Sequence, residues 1–265
     1  MMKDHLPDEN ELPRHAITRL NPARHRVAVV IPVWNQGDAI IEQLGGMQRA
    51  TLPVDIILAD GASADGSTEP SRLSALGVCE LLVTTERGLG TALRMGIAHA
   101  VRAGYEFVIT IDGNGKDDYT VIPRVIEQLD GGMDFVQASR FLPGASHANT
   151  PVGRWLGIKL VIVPVVNLAS GFRFTDPTNG FKGFSVKILL DHRFRPFRKV
   201  FDRFNFQFYV NIRLPQLGCR IAEVPAARNY PADGTVPTKI HGLRTHSALF
   251  WQLILSAVGW YNPRD

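Results

Sequence analysis

The residues best equipped for chemistry in this chain stand where an apolar run breaks off into carboxylates, at residues 108–118, VITIDGNGKDD. The β-branched run Val108, Ile109, Thr110 and Ile111 suits a buried central strand, and Gly113 and Gly115 then free the backbone for a tight turn around a ligand. Asp112, Asn114, Asp117 and Asp118 place hard oxygens at the tip with no Cys or His among them. Such a donor set favours magnesium or manganese over zinc, and a metal held there implies phosphate chemistry.

The elements that must position this loop follow from the hydrophobic pattern. Residues 27–33 (VAVVIPV) are almost continuously β-branched, as in a parallel strand buried on both faces, and Pro32, Trp34, Asn35, Gln36 and Gly37 close it as a turn. The spacing of Ile40, Ile41, Leu44 and Met47 predicts a helix over 39–50, followed by a strand at 54–59. A turn-rich loop at 60–67 (DGASADGS), a short helix at 71–76, a strand at 78–83 and a helix at 87–104 lead into the strand at 105–111. Four strands alternating with helices predict a doubly wound α/β sheet that binds ligands beyond the strands' C-terminal ends, where the acidic loops at Asp60 and Asp112 both lie.

Further along, the pattern predicts a helix at 121–129, a strand at 135–138, a helix at 205–217, a strand at 219–224 and a final apolar helix at 247–259. Residues 151–171 are apolar but interrupted by Lys159 and Pro164, too short and broken to span a bilayer. That segment is expected to lie on a membrane or cover an acceptor groove, or else to be a buried core helix. Residues 1–25, polar and carrying Pro7, Pro13 and Pro22, read as a flexible or loosely docked arm.

Composition narrows the classes. A chain of 265 residues, 45% hydrophobic and 9% aromatic, can bury one substantial core and a small annex. Cys79 and Cys219 lack CxxC spacing, which points away from zinc or a disulfide framework and fits a reducing cytosol. No signal-peptide pattern occurs at the N-terminus, and the protein is not expected to cross a bilayer. Charge is divided: residues 1–186 carry 17 Lys+Arg against 20 Asp+Glu (net −3), whereas residues 187–265 carry 12 against 5 (net +7). A basic final quarter suits an anionic partner or a solvated basic face. Gly88 and Gly90 begin a dinucleotide fingerprint, but Leu93 stands at its third glycine; His241 and His246 lack zinc-helix spacing, and neither GxSxG nor a Walker A loop occurs.

Taken in order, the loops resemble the family 2 glycosyltransferases of the GT-A fold, especially the polyprenyl-phosphate (dolichol-phosphate mannose synthase-like) branch. IPVWNQGDAI is similar to the family's PxYNE loop, LADGASADGS to its DDGSxDGS loop, RGLGTALRMGIAHA to its GxGxAxxxGI helix and IDGNGKDD to its DxD segment. ASRF, DPTNGFKGF and FQFYVNIRLPQLGCRIAEVP follow in the family's order, so the resemblance covers nearly everything from Val27 to Gly242.

The resemblance implies a single Rossmann-like GT-A domain at 26–242, a mostly parallel sheet flanked by helices. Residues 1–25 would be its N-terminal arm and 243–265 a C-terminal apolar helix and tail on the acceptor side. It implies a divalent cation (Mg2+ or Mn2+) held by Asp112, Asn114 and Gln207. Donor-nucleotide contacts would come from Pro32, Trp34, Asn35, Gln36, Asp60, Arg87, Asp112 and Lys239. Arg140 and Arg154 match arginines that hold an acceptor phosphate, a task suited to a planar guanidinium fork. Asp176 would be a turn cap or, for a hydroxyl acceptor, a general base. Gly61, Gln36 and Tyr209 depart from the pattern, and Asn114 can offer only a neutral carbonyl oxygen, so weaker or more donor-dependent metal binding follows.

The function implied is inverting transfer of a sugar from a nucleotide-sugar to a polyprenyl-phosphate or related lipid-linked acceptor, in envelope polysaccharide or glycolipid synthesis. The enzyme would be cytoplasmic and peripheral on the inner membrane. A transferase acting on a sugar hydroxyl is the alternative. A noncatalytic nucleotide-sugar or nucleic-acid binding module is a third reading, although no nucleic-acid partner is expected.

Overall fold

The computed structural model describes residues 6–230 and 242–263. The first half supplies β1 (Ala16–Arg19), β2 (Val27–Val33), α1 (Asp38–Arg49), β3 (Asp55–Asp60), α2 (Pro70–Ala75), β4 (Val78–Val83), α3 (Leu89–Ala103) and β5 (Phe107–Thr110). After these come α4 (Ile122–Asp130), β6 (Phe135–Ser139), α5 (Val152–Gly157), α6 (Val163–Ser170), β7 (Lys182–Ser185), α7 (Val186–Leu189), α8 (Asn205–Gln216), β8 (Ile221–Pro225) and α9 (Gly242–Ala257).

The strands form one sheet in the order β1-β4-β3-β2-β5-β7-β6-β8. β2 pairs in parallel with β3 and β5, β3 with β4, and β6 with β8, while β1 and β7 run antiparallel to their neighbours. Every residue of β2 is buried, as its unbroken apolar run requires. Alternation sorts the run between two cores. Ala28 and Val30 face the layer containing α3 and α8, whereas Val27, Val29 and Ile31 face the layer containing α1 and α4. Gly96 lets α3 approach β2 closely, since a Cβ there would stand 2.4 Å from Val30 Cγ1.

This topology brings the C-terminal ends of β2, β3, β4, β5, β6 and β8 to one rim, together with the N-terminal end of the reversed β7. Pro32 fits within β2 because β5 pairs only as far as Val30, so the missing N–H falls beyond that ladder.

Three elements differ from the sequence expectation. The N-terminal stretch read as an arm carries β1, an exposed edge strand on β4, and the Asn21 amide donates to Ser74 and Val78 carbonyls. β7 was not foreseen, because KGFS lacks an alternating apolar pattern. Most consequentially, residues 152–170 form one 19-residue helix of mean hydropathy 1.6, long and apolar enough to cross a membrane by length and composition, with only 11% of it buried. The buried-core reading fails, and neither Lys159 nor Pro164 breaks the helix. A π turn over Ile158–Ile162 joins α5 to α6 just before Pro164, and such a turn absorbs the proline's missing donor and ring clash.

Candidate active site

The loop after β5 is held from several sides. Gln43, buried on α1, accepts from Gly115 N at 3.0 Å. Residues 117 and 228 form an antiparallel bridge, with Asp118 N donating to Ala227 O and Asn229 N to Lys116 O. The same C-terminal segment is stitched to the loop after β6, since Arg228 N donates to Ser146 O and Tyr230 N to Ala148 O.

Side chains converge inside this frame. Asp112, partly exposed, accepts from Arg228 Nη2 at 2.6 Å, and Arg228 Nη1 donates to both Asp117 and Asn179. Gly180 backs the carboxylate closely: a Cβ there would lie 2.4 Å from Asp112 Oδ1. Burial alone would raise the pKa of Asp112, but the Arg228 guanidinium outweighs it and holds the carboxyl below its ordinary range. Asp117, fully enclosed, is pushed up by burial. The Lys116 ammonium lies 4.9 Å from the centroid of the Tyr230 ring, and burial, reinforced by Arg228, lowers it to about 8. Arg154, on α5, donates to the Tyr230 hydroxyl at 2.7 Å and is close enough for its charge to act on Lys116.

The nucleotide-side candidates come together at the ends of β2, β3 and β4. Arg87 lies over the Trp34 ring at 4.7 Å. Asn35, at φ 47°, locks its loop to the next one by accepting from Ala64 N and donating its own N–H to Ser63 Oγ. Asp60 is buried and accepts from Ser63 and Thr68, which shapes its loop. Pro32 is also buried, and Gln36, next in sequence to Asn35, is half-buried. Lys239 lies outside the described residues.

Two expected catalytic groups face inward. Arg140, 3% exposed, binds the fully buried Asp176 through Nε at 2.6 Å and Nη2 at 3.2 Å, and also reaches Thr178. Asp176 is held below the usual carboxylate range: burial opposes ionisation, and the Arg140 charge overcomes it. A general base needs an accessible lone pair and a pKa near the working pH, whereas Asp176 is enclosed and held low, an arrangement that suits a turn cap. For the same reason Arg140 presents no open fork to an acceptor phosphate in this structure.

Gln207 on α8 is 7% exposed, and its Oε1 has no hydrogen-bond partner among the described residues. It shares a helix face with Asn211, whose side chain meets Gln137 and Lys182 beside Asn179. Among the described residues no group of three or more His, Cys, Asp and Glu could hold a metal. The donor set nevertheless fits a hard cation in kind: an ionised Asp112, the Asn114 amide oxygen and the orphaned Gln207 carbonyl. Tyr209, at a position usually acidic in the resembling family, is core, stacked on Phe194 and bonded to its carbonyl.

Sequence reasoning missed Arg228 and the closeness of Lys116 to it. The one signal for Arg228 was the basic surplus of the final quarter, and Lys116 lies outside that quarter.

Comparison with known proteins gives a consistent picture. The model of glycosyl transferase family 2 matches residues 28–193. An undecaprenyl-phosphate mannosyltransferase from Micrococcus luteus is 29% identical over 207 residues, covering 76% of this chain and 82% of that protein. A polyprenol monophosphomannose synthase from Mycolicibacterium smegmatis is 27% identical over 62% of this chain and 63% of its own length. Among solved structures, glucosyl-3-phosphoglycerate synthase from Mycobacterium tuberculosis, crystallised with Mn2+, UDP and glucosyl-3-phosphoglycerate, superposes with a TM-score of 0.63 at 18% identity. That superposition covers 90% of this chain and 81% of the other, a likeness of fold.

Proposed function

This chain belongs to glycosyl transferase family 2, a glycosyltransferase of GT-A fold, and from that premise we propose that it moves a sugar from a nucleotide-sugar to a polyprenyl phosphate, with inversion at the anomeric carbon. One observation carries the reading: Arg154, a phosphate-binding type of side chain at the rim, stands on the first turn of an exposed apolar helix. Charge for a phosphate head and apolar surface for an isoprenoid tail are thereby continuous. The two relatives, an undecaprenyl-phosphate mannosyltransferase and a polyprenol monophosphomannose synthase, support the same acceptor class.

The reaction needs little acid–base chemistry. An acceptor phosphate oxygen, already anionic, attacks the anomeric carbon while the bond to the nucleoside diphosphate breaks, and the leaving diphosphate departs with its electron pair. Arg154 would orient the acceptor phosphate. Lys116 and Arg87 would offset charge on the diphosphate in a partly enclosed site, where fixed cations act more strongly than in water. A divalent cation, held by Asp112, Asn114 and Gln207, would supply further neutralisation of that leaving group. Since Asp176 is sealed by Arg140, a hydroxyl acceptor needing a base is less well served.

Peripheral attachment to the cytoplasmic face of a membrane completes the proposal. Leu160 and Leu168 on the long helix are 69% and 89% exposed, and Phe250, Trp251, Val258 and Trp260 are exposed on or just after α9, which packs against α6. Lys159 and Arg154 put cations on the same helix, an arrangement suited to anionic headgroups.

The deciding experiment incubates the protein with undecaprenyl phosphate, a panel of GDP- and UDP-sugars and Mn2+ or Mg2+, and reads products by mass spectrometry. An acid-labile glycosyl phosphate is expected. An acid-stable glycoside on a sugar acceptor, with no lipid phosphate product from any donor, would overturn the acceptor assignment.

A further inference from the structure

Arg228 occupies an unusual position for a site built around a cation. Its Nη2 stands 2.6 Å from Asp112 Oδ2, and its Nη1 binds Asp117 and Asn179. The residue is buried, and its backbone is bridged to Asp117, so it cannot drift from the loop. Asp112 is the only carboxylate at the two DxD positions, because Asn114 stands at the second. Its charge is therefore already neutralised from within the chain, and Lys116 adds a second positive group beside it.

A divalent cation arriving alone would have to displace a guanidinium from a short, charge-assisted bond and settle near an ammonium with one carboxylate in support. Like-charge repulsion opposes that in a partly enclosed site. Nucleoside diphosphate changes the balance by bringing both negative charge and oxygen ligands. Arg228 can then release Asp112 without becoming an unpaired buried charge, because Asp117 and Asn179 remain its partners.

We propose that Arg228 is a resident counter-cation for Asp112, which keeps divalent cations out of the donor-free enzyme and makes their binding conditional on the nucleoside diphosphate. The inference rests on the cation reading proposed above. By linkage, the nucleotide must raise cation affinity by the same factor as the cation raises nucleotide affinity.

Mn2+ titration followed by electron paramagnetic resonance tests this without turnover. Wild type, Arg228→Met, and the double variant Arg228→Met/Asp117→Asn are compared free of nucleotide, each with its fold verified by a cooperative thermal melt. The double variant removes the arginine together with the buried acid it neutralises, guarding against misfolding of the single variant. Both are expected to bind Mn2+ roughly tenfold or more tightly than wild type, about 1.4 kcal/mol or more by the logarithmic conversion. Arg228→Lys, which keeps a cation, should stay near wild type. Folded variants that bind Mn2+ no tighter than wild type overturn the role of Arg228. A separate titration of wild type with GDP or UDP decides the cation reading itself: absence of Mn2+ uptake with either nucleotide defeats that reading.

Discussion

Arg140 and Asp176, 36 residues apart in sequence, meet beneath the rim as a two-pronged ion pair with Nε 2.6 Å from one carboxylate oxygen and Nη2 3.2 Å from the other. Neither side chain has appreciable contact with solvent. Removing one partner of a buried pair leaves an uncompensated charge and costs about 3–5 kcal/mol. Arg140→Ala is accordingly expected to lower the urea midpoint strongly, with loss of activity following loss of folded protein. A fully stable Arg140→Ala with a selectively raised acceptor KM would return Arg140 to the acceptor site.

The same pair fixes a pH dependence. The folded-state pKa of Asp176 is depressed below its unfolded value of about 3.9, so the pair's stabilisation is fully present above that pH and is lost as pH falls through the folded value. In Asp176→Asn that acid-limb loss should be smaller than in wild type when denaturant midpoints are compared between about pH 5 and pH 2.5.

Lys182 should act in the opposite region. Its ammonium, enclosed with Gln137 and Asn211 as hydrogen-bond partners, is lowered by burial to about 7. The unfolded chain then holds a proton that the folded chain releases between about pH 7 and the ordinary lysine value near 10.4, and stability contributed by this group rises with pH across that window. Comparing unfolding free energies at about pH 6.5 and pH 8 keeps the thiols of buried Cys79 and half-buried Cys219, pushed up to about 11, largely protonated in the folded state. Wild type should gain stability over that interval relative to Lys182→Met; equal slopes would mean that Lys182 titrates elsewhere.

Arg154→Ala should raise the KM for a polyprenyl phosphate about 10–100-fold, the equivalent of one lost charge-assisted interaction, with donor KM changed much less. Tyr230→Phe, which removes only the hydroxyl that accepts from Arg154, should produce a smaller shift in the same direction. Steady-state kinetics with each substrate varied in turn provides the check, and a donor-only effect would remove Arg154 from the acceptor side.

Leu160→Asp combined with Trp251→Asp should reduce binding to anionic phospholipid vesicles by more than about tenfold while leaving the thermal melt nearly unchanged, because both residues are exposed. Sedimentation with the vesicles measures it. Undiminished binding would move the membrane contact to another face.

How much of this was legible beforehand depends on the range of the signal. β2, α1, β3 and α3 announce themselves through local apolar periodicity, and their observed limits fall within a few residues of the expected ones. β1 is four exposed residues whose strand identity comes from pairing with β4, and β7 contains a glycine and a buried lysine, so neither carries a local pattern. At the site, Asp112 could be recognised by its place after an apolar strand. Its partner Arg228 lies 116 residues later, and sequence supplies no distance between them. The pairing of Asp176 with Arg140, 36 residues away, likewise carries no local signal.

The apolar helix at 152–170 also governs how the protein behaves in a test tube. With Val152, Leu160 and Leu168 exposed on it and Trp251 and Trp260 exposed at the other end of the chain, lipid-free protein presents sticky surface to every other copy in solution. Colloidal stability in dilute aqueous buffer is then limited by this surface rather than by the strength of the fold. A mild detergent or lipid nanodisc should yield dispersed protein where salt and glycerol alone yield assemblies.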